Sequence, residues 1–436
     1  MQEILFDYKL NPTTWAYLSS LLIIGMYFKF HRFWSVRNLD LVALIGISPG
    51  LLLIYYGLAN HAPGQVQAGY VWLFGISGFF LIRLLIDPIM VRRPLLEPNL
   101  SVSGLTFTGL SLLIFLMANI VKSPPERLES YLAKQEAPAQ PSPGLTFFYN
   151  FSGFSSKAII PIDKSQPEIF RRQEIQIASA RSTAILAHLA IVIGMVFVGY
   201  RHFDNIHTGV AAATLYLLSF YTSQMTGQVD HVVPAALLVW AVVAYRRPMI
   251  AGVFLGLAVG VIYYPWFLLP LWCGFYWRRG VVRFIIGVVL ALTIMIAWLS
   301  LSTGTWETFW PQLQLMLGFR NPLEIVSSSG FWKYHEQVFR IPVLAAFVAL
   351  CCSLALWPPQ KNLGTLLSCS AAVMLASQFW HANNGGLYIA WYLPLLILTI
   401  FRPNLEDRVA LSAVYDLRWP WRRNRTAKPQ AAAPAA

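Results

Sequence analysis

Long stretches without a charged side chain recur along the whole chain, and they restrict what it can fold into. Of its 436 residues, 57% are hydrophobic and only 12% are charged, whereas soluble domains carry about 25% charged residues. A run of about 20 apolar residues crosses a bilayer as a helix, because its backbone must satisfy its own hydrogen bonds where water is absent. The sequence therefore predicts an all-α, polytopic transmembrane helical bundle surrounded by membrane lipids.

Basic residues flank the apolar runs on alternate sides, which gives the predicted topology. We count about eleven full spans plus one broken helical hairpin. The net charge of +13 falls on the segments assigned to the cytoplasm, where basic loops are normally retained. The charge therefore gives no reason to expect a nucleic-acid partner. We expect a multi-pass protein of the cell (inner or plasma) membrane, with the N-terminus outside and the C-terminus in the cytoplasm.

One long polar insert organises the chain into four segments. Residues 1–121 carry the N-terminal transmembrane helices, 122–181 an outer-face loop or lid, 182–402 a transmembrane core, and 403–436 a basic cytoplasmic tail. The first part of the insert is rich in Pro, Ala, Glu and Gln, which is typical of a flexible tether. In its second part aromatic and polar residues alternate, which favours short interfacial helices or an ordered lid.

An apolar run at 249–277 begins and ends beside arginine pairs and is broken at Pro265. Each half is too short to cross a hydrocarbon core of about 30 Å at about 1.5 Å per residue. The run therefore predicts a broken helical hairpin whose tip, at 263–266, lies deep in the membrane or near its outer side. Its first half carries a glycine every fourth residue, which predicts close approach of another helix. These glycines are Gly252, Gly256 and Gly260.

Two ionisable groups inside spans have structural interpretations. His188 is expected to be a neutral histidine bonded to a neighbouring helix more often than a functional group. Arg83 precedes Asp87 by four residues, so the two can pair on one helix face near the inner end. We expect this to be an interfacial ion pair whose arginine extends towards the headgroups.

A polar cluster precedes the span before the hairpin, and it is the best candidate site. Its members are Gln224, Gln228, Asp230 and His231. Acids and imidazoles can act as general bases or bind a divalent cation, and cationic side chains can hold a phosphate. The Walker, dinucleotide and HExxH motifs of soluble enzymes are absent. The four cysteines form no CxxC, so we expect no thiolate metal site.

The sequence around this cluster resembles the core of the GT-C-type integral membrane glycosyltransferases, and most closely their polyprenyl-phosphate-mannose-dependent mannosyltransferase-like branch. The resemblance covers roughly an eighth of the chain, and the matching motifs are mostly apolar. The matching residues are Gly227-Gln228, Arg246-Arg247, Ala251-Gly252, Gly256-Leu257-Ala258, Pro265 and the late Tyr392-Leu393-Pro394-Leu395. The chain departs from the pattern at Ile262, where relatives carry a lysine just before the proline.

The resemblance implies a fold and a reaction. It implies a GT-C-like bundle in which a polyprenyl-phosphate sugar, mannose being one candidate, enters from the bilayer and gives its sugar to an outer-face glycan, lipid or protein acceptor. An outer acid would deprotonate the acceptor, and Asp163 and Asp230 are the two candidates. No cofactor is required, although a divalent metal is compatible with this chemistry. The expected substrate-binding residues are Gln228, His231, Tyr263, Tyr264, Arg320 and His381.

Two further functions remain open at the level of sequence. A transporter or lipid-carrier flippase would use His188 and the broken hairpin as a mid-membrane site. A non-catalytic scaffold of envelope assembly would agree with the isoleucine at position 262.

Overall fold

The regular structure of the protein is helical throughout the part that the computed structural model describes. That part comprises residues 11–90, 96–122, 143–149, 168–277, 279–319, 329–359 and 361–403. The labelled helices are α1 (Pro12–Tyr27), α2 (Val36–Ile45), α3 (Ile47–Ala59), α4 (Pro63–Ile86), α5 (Val102–Lys122), α6 (Glu168–His202), α7 (Ile206–Leu218), α8 (Phe220–Gln224), α9 (Val229–Val243), α10 (Pro248–Val261), α11 (Leu269–Tyr276), α12 (Val281–Thr303), α13 (Trp306–Leu317), α14 (Arg340–Leu356), α15 (Leu363–Trp380) and α16 (Leu393–Phe401). The prediction of an all-α protein is confirmed.

Seven helical segments within the described ranges are long and apolar enough to cross a membrane. Three shorter apolar helices, α7, α9 and α10, accompany them. This supports a multi-pass membrane protein. The count of eleven spans and the orientation of the termini stay predictions.

Helix α15 lies at the centre of the bundle. In the 18-residue stretch of α15 that could cross a membrane, 94% of the residues are buried inside the protein. In the corresponding stretch of α5 only 17% are buried. It is also the least hydropathic of the seven candidate spans. A helix surrounded by protein needs no lipid-facing surface, so small and polar residues can serve as its packing contacts. The buried polar residues of α15 are Thr365, Ser368, Ser370, Ser377 and Gln378.

The predicted break in the hairpin is present. Helix α10 ends at Val261, Ile262 is extended, and a 3-10 turn at Tyr264–Leu268 leads into the short α11. Pro265 is the second residue of this turn, in the first turn of a helix, where its missing backbone donor is tolerated. The bases of the two limbs meet, since the Tyr276 hydroxyl donates to the Tyr245 carbonyl at 2.6 Å. The segment therefore leaves and returns to one end of the bundle.

The glycine stripe of α10 packs against α12, as the spacing predicts. Gly252 lies against the Phe284 carbonyl, and a Cβ built on Gly256 would be 2.7 Å from the carbonyl oxygen of Val288. At this distance no side chain fits between the two backbones. The contact holds the first limb of the hairpin directly on a membrane-length helix.

The polar insert contributes two described pieces. A short helix at 143–149 contacts the tip side of α10, where Gly144 lies against the carbonyl of Gly260. Helix α6 begins at Glu168, inside the predicted lid, and continues without interruption to His202. Most of the basic tail, 404–436, falls outside the described residues.

Four charged side chains join α2, α4 and the end of α16 at one end of the bundle, which we call the charged end. Arg83 donates two hydrogen bonds to Asp40, both at 3.1 Å, and one to Asp87 at 2.9 Å. Arg402 donates to the other oxygen of Asp87 at 2.6 Å. The predicted pair of Arg83 and Asp87 is therefore present.

The expectation that Arg83 extends towards the headgroups is wrong. Its residue surface is only 9% exposed. The cause is Asp40, a second carboxylate from a neighbouring helix, which satisfies the guanidinium inside the protein. These bonds also tie the N-terminal helices to the end of the core across the predicted segment boundaries.

We expect Gly252→Ala to destabilise the bundle by about 1–3 kcal/mol, because the added methyl group forces two rigid backbones apart. The measurement is the thermal unfolding midpoint in detergent. Gly78→Ala on α4 is the control, since a Cβ there meets nothing within 4 Å, and alanine is favoured in helices by up to about 1 kcal/mol. Equal midpoints for the two variants would show that the contact between α10 and α12 is not tight.

Candidate functional site

A continuous set of aromatic and imidazole rings surrounds the tip of the hairpin. Successive ring centroids are separated by 4.9 Å from Tyr264 to His381, 4.8 Å from His381 to Tyr388, and 4.6 Å from Tyr388 to His231. Trp391 stacks on Tyr388 at 4.4 Å. We call these five residues the aromatic cluster.

Four separate elements supply the aromatic cluster. The N-terminal turn of α9 carries His231, the hairpin tip carries Tyr264, and His381 follows the last residue of α15. Tyr388 immediately precedes the 3-10 turn that leads to α16, and Trp391 is the last residue of that turn. The cluster lies at the opposite end of α15 from the charged end, since Gly364 near the start of α15 contacts Arg402.

Gln378 fixes the connection between α15 and α16. Its side-chain oxygen accepts hydrogen bonds from the backbone N–H groups of Gly386 at 3.2 Å and Tyr388 at 3.3 Å. Gln378 is fully buried, so these bonds form away from water, where the backbone donors need a partner. This arrangement holds Tyr388 against both imidazoles.

The carboxylate of Asp230 lies at the edge of the cluster and is accessible. Its side chain is 40% exposed, whereas His231 beside it is buried, with 3.9 Å between the nearest carboxylate oxygen and Nε2. The Tyr221 hydroxyl lies 2.6 Å from His231 Nδ1. Trp391 Nε1 donates to the backbone carbonyl of Asp230 at 3.0 Å. An oriented, partly solvated carboxylate of this kind can accept a proton from a bound hydroxyl group.

His381 is a neutral hydrogen-bonding group. Burial lowers the pKa of its imidazole to about 3, and the neighbouring positive charge of Arg340 acts in the same direction. The backbone N–H of Asn383 donates to His381 Nδ1 at 3.2 Å, so in the neutral ring the proton is on Nε2. His381 can donate a hydrogen bond to a phosphate, but it does not supply a positive charge there.

Arg340 supplies the positive charge beside the hairpin tip. It is 5% exposed, and its Nε donates to the Trp380 carbonyl at 3.2 Å. Its charge interacts with Tyr263, Tyr264 and His381. The Tyr263 hydroxyl donates to that of Tyr264 at 2.7 Å. The tip therefore presents two hydroxyl groups next to a guanidinium group.

Most of the site residues predicted from sequence lie at this end of the bundle. His231, Tyr264 and His381 belong to the aromatic cluster, Asp230 lies at its edge, and Tyr263 stacks on Tyr264 at 4.2 Å. Gln228 is half-buried at the start of α9. Asp163 and Arg320 lie outside the described residues, so their assignments stay predictions.

Four contributors were not singled out by the sequence analysis, namely Arg340, Gln378, Tyr388 and Trp391. Gln378 can be predicted from the sequence, because an amide inside an apolar span is costly and marks a polar function or contact. No sequence feature distinguishes Arg340 from the other basic residues, since it lies at the end of a predicted outer loop. Tyr388 and Trp391 precede the matching Tyr392-Leu393-Pro394-Leu395 motif and could have been included with it.

Neither a transporter site at His188 nor a metal centre finds specific support. His188 Nε2 lies 3.0 Å from the Thr226 carbonyl, and Nδ1 lies 3.0 Å from the Tyr216 hydroxyl. Both ring nitrogens are thus used, one by α7 and the other by the turn that precedes α9, which is typical of a structural histidine. No group of three His, Cys, Asp or Glu side chains that could hold a metal ion occurs among the described residues.

No protein-family model, curated protein or solved structure matches the chain.

The lowered pKa of His381 predicts a pH dependence of stability. The unfolded imidazole has a pKa of about 6.5, so below that pH the unfolded state binds a proton that the folded state rejects. Lowering the pH from 7.5 to 5 should therefore reduce the free energy of unfolding of the native protein by about 2 kcal/mol. We expect His381→Gln to show a smaller fall in its unfolding midpoint over this range.

The control is His31→Gln, which changes an exposed histidine. Its unfolding midpoint should fall between pH 7.5 and pH 5 as much as that of the native protein. If His381→Gln shows the native pH dependence, the imidazole of His381 is not held neutral by burial.

Proposed function

We propose that the protein is a membrane glycosyltransferase that moves a sugar from a polyprenyl-phosphate carrier to an acceptor at the membrane surface. The observation that carries the proposal is the grouping of the accessible Asp230 carboxylate, the aromatic cluster and Arg340 around a broken helical hairpin. Sites for small ligands typically combine aromatic walls with a few placed polar groups. A lipid-linked sugar phosphate needs an aromatic surface for the sugar, a cation for the phosphate and access from the bilayer.

Asp230 is the proposed base of this reaction. The acceptor oxygen forms a bond to the anomeric carbon as its proton passes to the Asp230 carboxylate. The bond between the anomeric carbon and the phosphate oxygen breaks, and the lipid phosphate leaves with the electron pair. The anomeric centre is inverted in a single displacement of this kind. Asp163 is retained as the alternative base.

Arg340 is the proposed phosphate contact in place of the lysine that is missing at position 262. Ile262 immediately precedes Tyr263, and the charge of Arg340 acts on Tyr263 and Tyr264 from the start of another helix. A guanidinium can bind two phosphate oxygens in a fixed geometry. Neutral His381 would add a hydrogen bond, and Arg320 remains a further candidate contact.

The partners follow from this chemistry. They are the polyprenyl-phosphate sugar donor, a glycan, lipid or protein acceptor, and the surrounding membrane lipids. We propose the cell membrane as the location, with the aromatic cluster on the outer side, and we assign no cofactor to the reaction.

We expect Asp230→Asn to reduce sugar transfer by at least about a hundredfold, since a positioned general base contributes about 10²–10⁴ to the rate. The assay is transfer of radiolabelled sugar from polyprenyl-phosphate mannose, and then other polyprenyl-phosphate sugars, in proteoliposomes. Glu307→Gln is the matched control, because it removes an exposed acid and should retain native activity. Full activity of Asp230→Asn would remove Asp230 from the mechanism. Complete lack of turnover by the native protein with every donor would favour the scaffold or transporter functions.

We expect Arg340→Gln to raise the KM for the lipid-phosphate donor by about tenfold or more, which corresponds to about 1.4 kcal/mol. Arg340→Lys should restore part of the affinity, because it retains the charge without the fork of donors. Arg283→Gln, which changes an exposed arginine on α12, is the control. An unchanged KM in a folded Arg340→Gln protein would show that the phosphate binds elsewhere.

A further inference from the structure

Helix α13 has one apolar face, and only part of that face is covered by protein. Residues three and four apart lie on the same side of a helix. The apolar face consists of Trp306, Phe309, Trp310, Leu313, Met316 and Leu317. The rest of the helix surface carries Glu307, Thr308, Gln312 and Gln314, together with Pro311 and the 37% exposed Leu315. This pattern is typical of a helix at a boundary between water and an apolar phase.

The C-terminal half of the apolar face rests on the protein. Met316 is 2% exposed. Gly318, which ends the helix in the left-handed conformation with φ of 74°, lies against the ring of Tyr263, where an added Cβ would be 2.6 Å from Cδ2. This end of α13 is therefore fixed to the hairpin tip beside the aromatic cluster.

The N-terminal half of the same face is uncovered. Trp306 is 68% exposed and Trp310 is 45% exposed. Their rings stack on each other with centroids 5.8 Å apart. Two large side chains thus present a joint apolar surface with a polar N–H on each ring. Tryptophan is enriched where membrane hydrocarbon meets water, because its ring is apolar and its N–H is polar.

The exposed tryptophan pair directly follows α12, a candidate membrane span, in the chain. That helix exposes a stripe of aliphatic side chains along its membrane-length run, comprising Ile285, Ile286, Val289, Leu290 and Ile294. It exposes Leu301 just before it ends at Thr303. Gly304 then turns the chain, and α13 starts at Trp306. The Trp pair therefore begins where a candidate membrane span ends.

We propose that α13 is an interfacial anchor. Its Trp306 and Trp310 insert into the bilayer surface near the C-terminal end of α12, at the same end of the bundle as the aromatic cluster. The bilayer is the occupant because the exposed tryptophan pair directly follows a candidate membrane span in the chain, and because Glu307 and Thr308 are exposed off the tryptophan face. Through Gly318 and Tyr263 the anchor sets the depth of the hairpin tip at the level of the lipid headgroups. This inference does not depend on the proposed transferase reaction.

Site-specific labelling in lipid nanodiscs tests the anchor. Glu307→Cys and Thr308→Cys probe the polar face, and Trp306→Cys and Trp310→Cys probe the apolar face. The probe is a charged, membrane-impermeant maleimide, and the native protein with its four cysteines gives the background. We expect labelling at the two tryptophan positions to be at least about tenfold slower than on the polar face, because thiolates form poorly in an apolar surrounding.

Two results would overturn the proposal. Equal rates on both faces would place the tryptophan face in water. Slow labelling accompanied by disulfide-linked dimers of Trp310→Cys would show that a second copy of the chain covers it. The conservative variant Trp306→Phe/Trp310→Phe provides an independent check that preserves packing. Its tryptophan emission should be quenched less than that of the native protein by phospholipids brominated near the carbonyls, and equal quenching would also overturn the anchor.

Discussion

The direct backbone contact between α10 and α12 determines where the hairpin tip lies, and the candidate site depends on that position. Lipid tails are as apolar as leucine, so burial alone does not draw two membrane helices together. Glycines at Gly252 and Gly256 allow van der Waals contact along the whole limb. Because α10 is held this way, the chain can leave regular helix at Ile262 and still present Tyr263 and Tyr264 in a fixed place.

The bundle separates two kinds of polar chemistry along α15. At the charged end, Arg83 and Arg402 satisfy Asp40 and Asp87 inside the protein. Such a closed network joins helices, and loss of any member would leave an uncompensated buried charge. At the other end His231, Gln378 and Arg340 are also buried, but the side chain of Asp230 is 40% exposed, so its carboxylate is accessible. This difference in accessibility is why we place the function at the aromatic cluster.

The hairpin tip is also where the 143–149 helix and α13 converge. Gly144 contacts the last turn of α10, and Gly318 contacts Tyr263. In both contacts the backbone of the glycine lies directly against its neighbour, and a larger residue at the glycine position would prevent this. The short 143–149 helix and α13 are thus positioned by the same few residues that position the candidate site. A membrane anchor on α13 would relate the depth of that site to the bilayer surface through a single chain of contacts.

Sequence pattern alone predicts the helical class, the break at Pro265, the close-packed glycine face and several members of the candidate site. Each of these rests on local composition or spacing, which a helix converts directly into a face or an interruption. The placement of Arg340 beside those members, and of Asp40 beside Arg83, is visible only in the tertiary structure, since these contacts join residues 40 and 43 positions apart. Local pattern carries no information about such pairs, because they depend on how the helices pack.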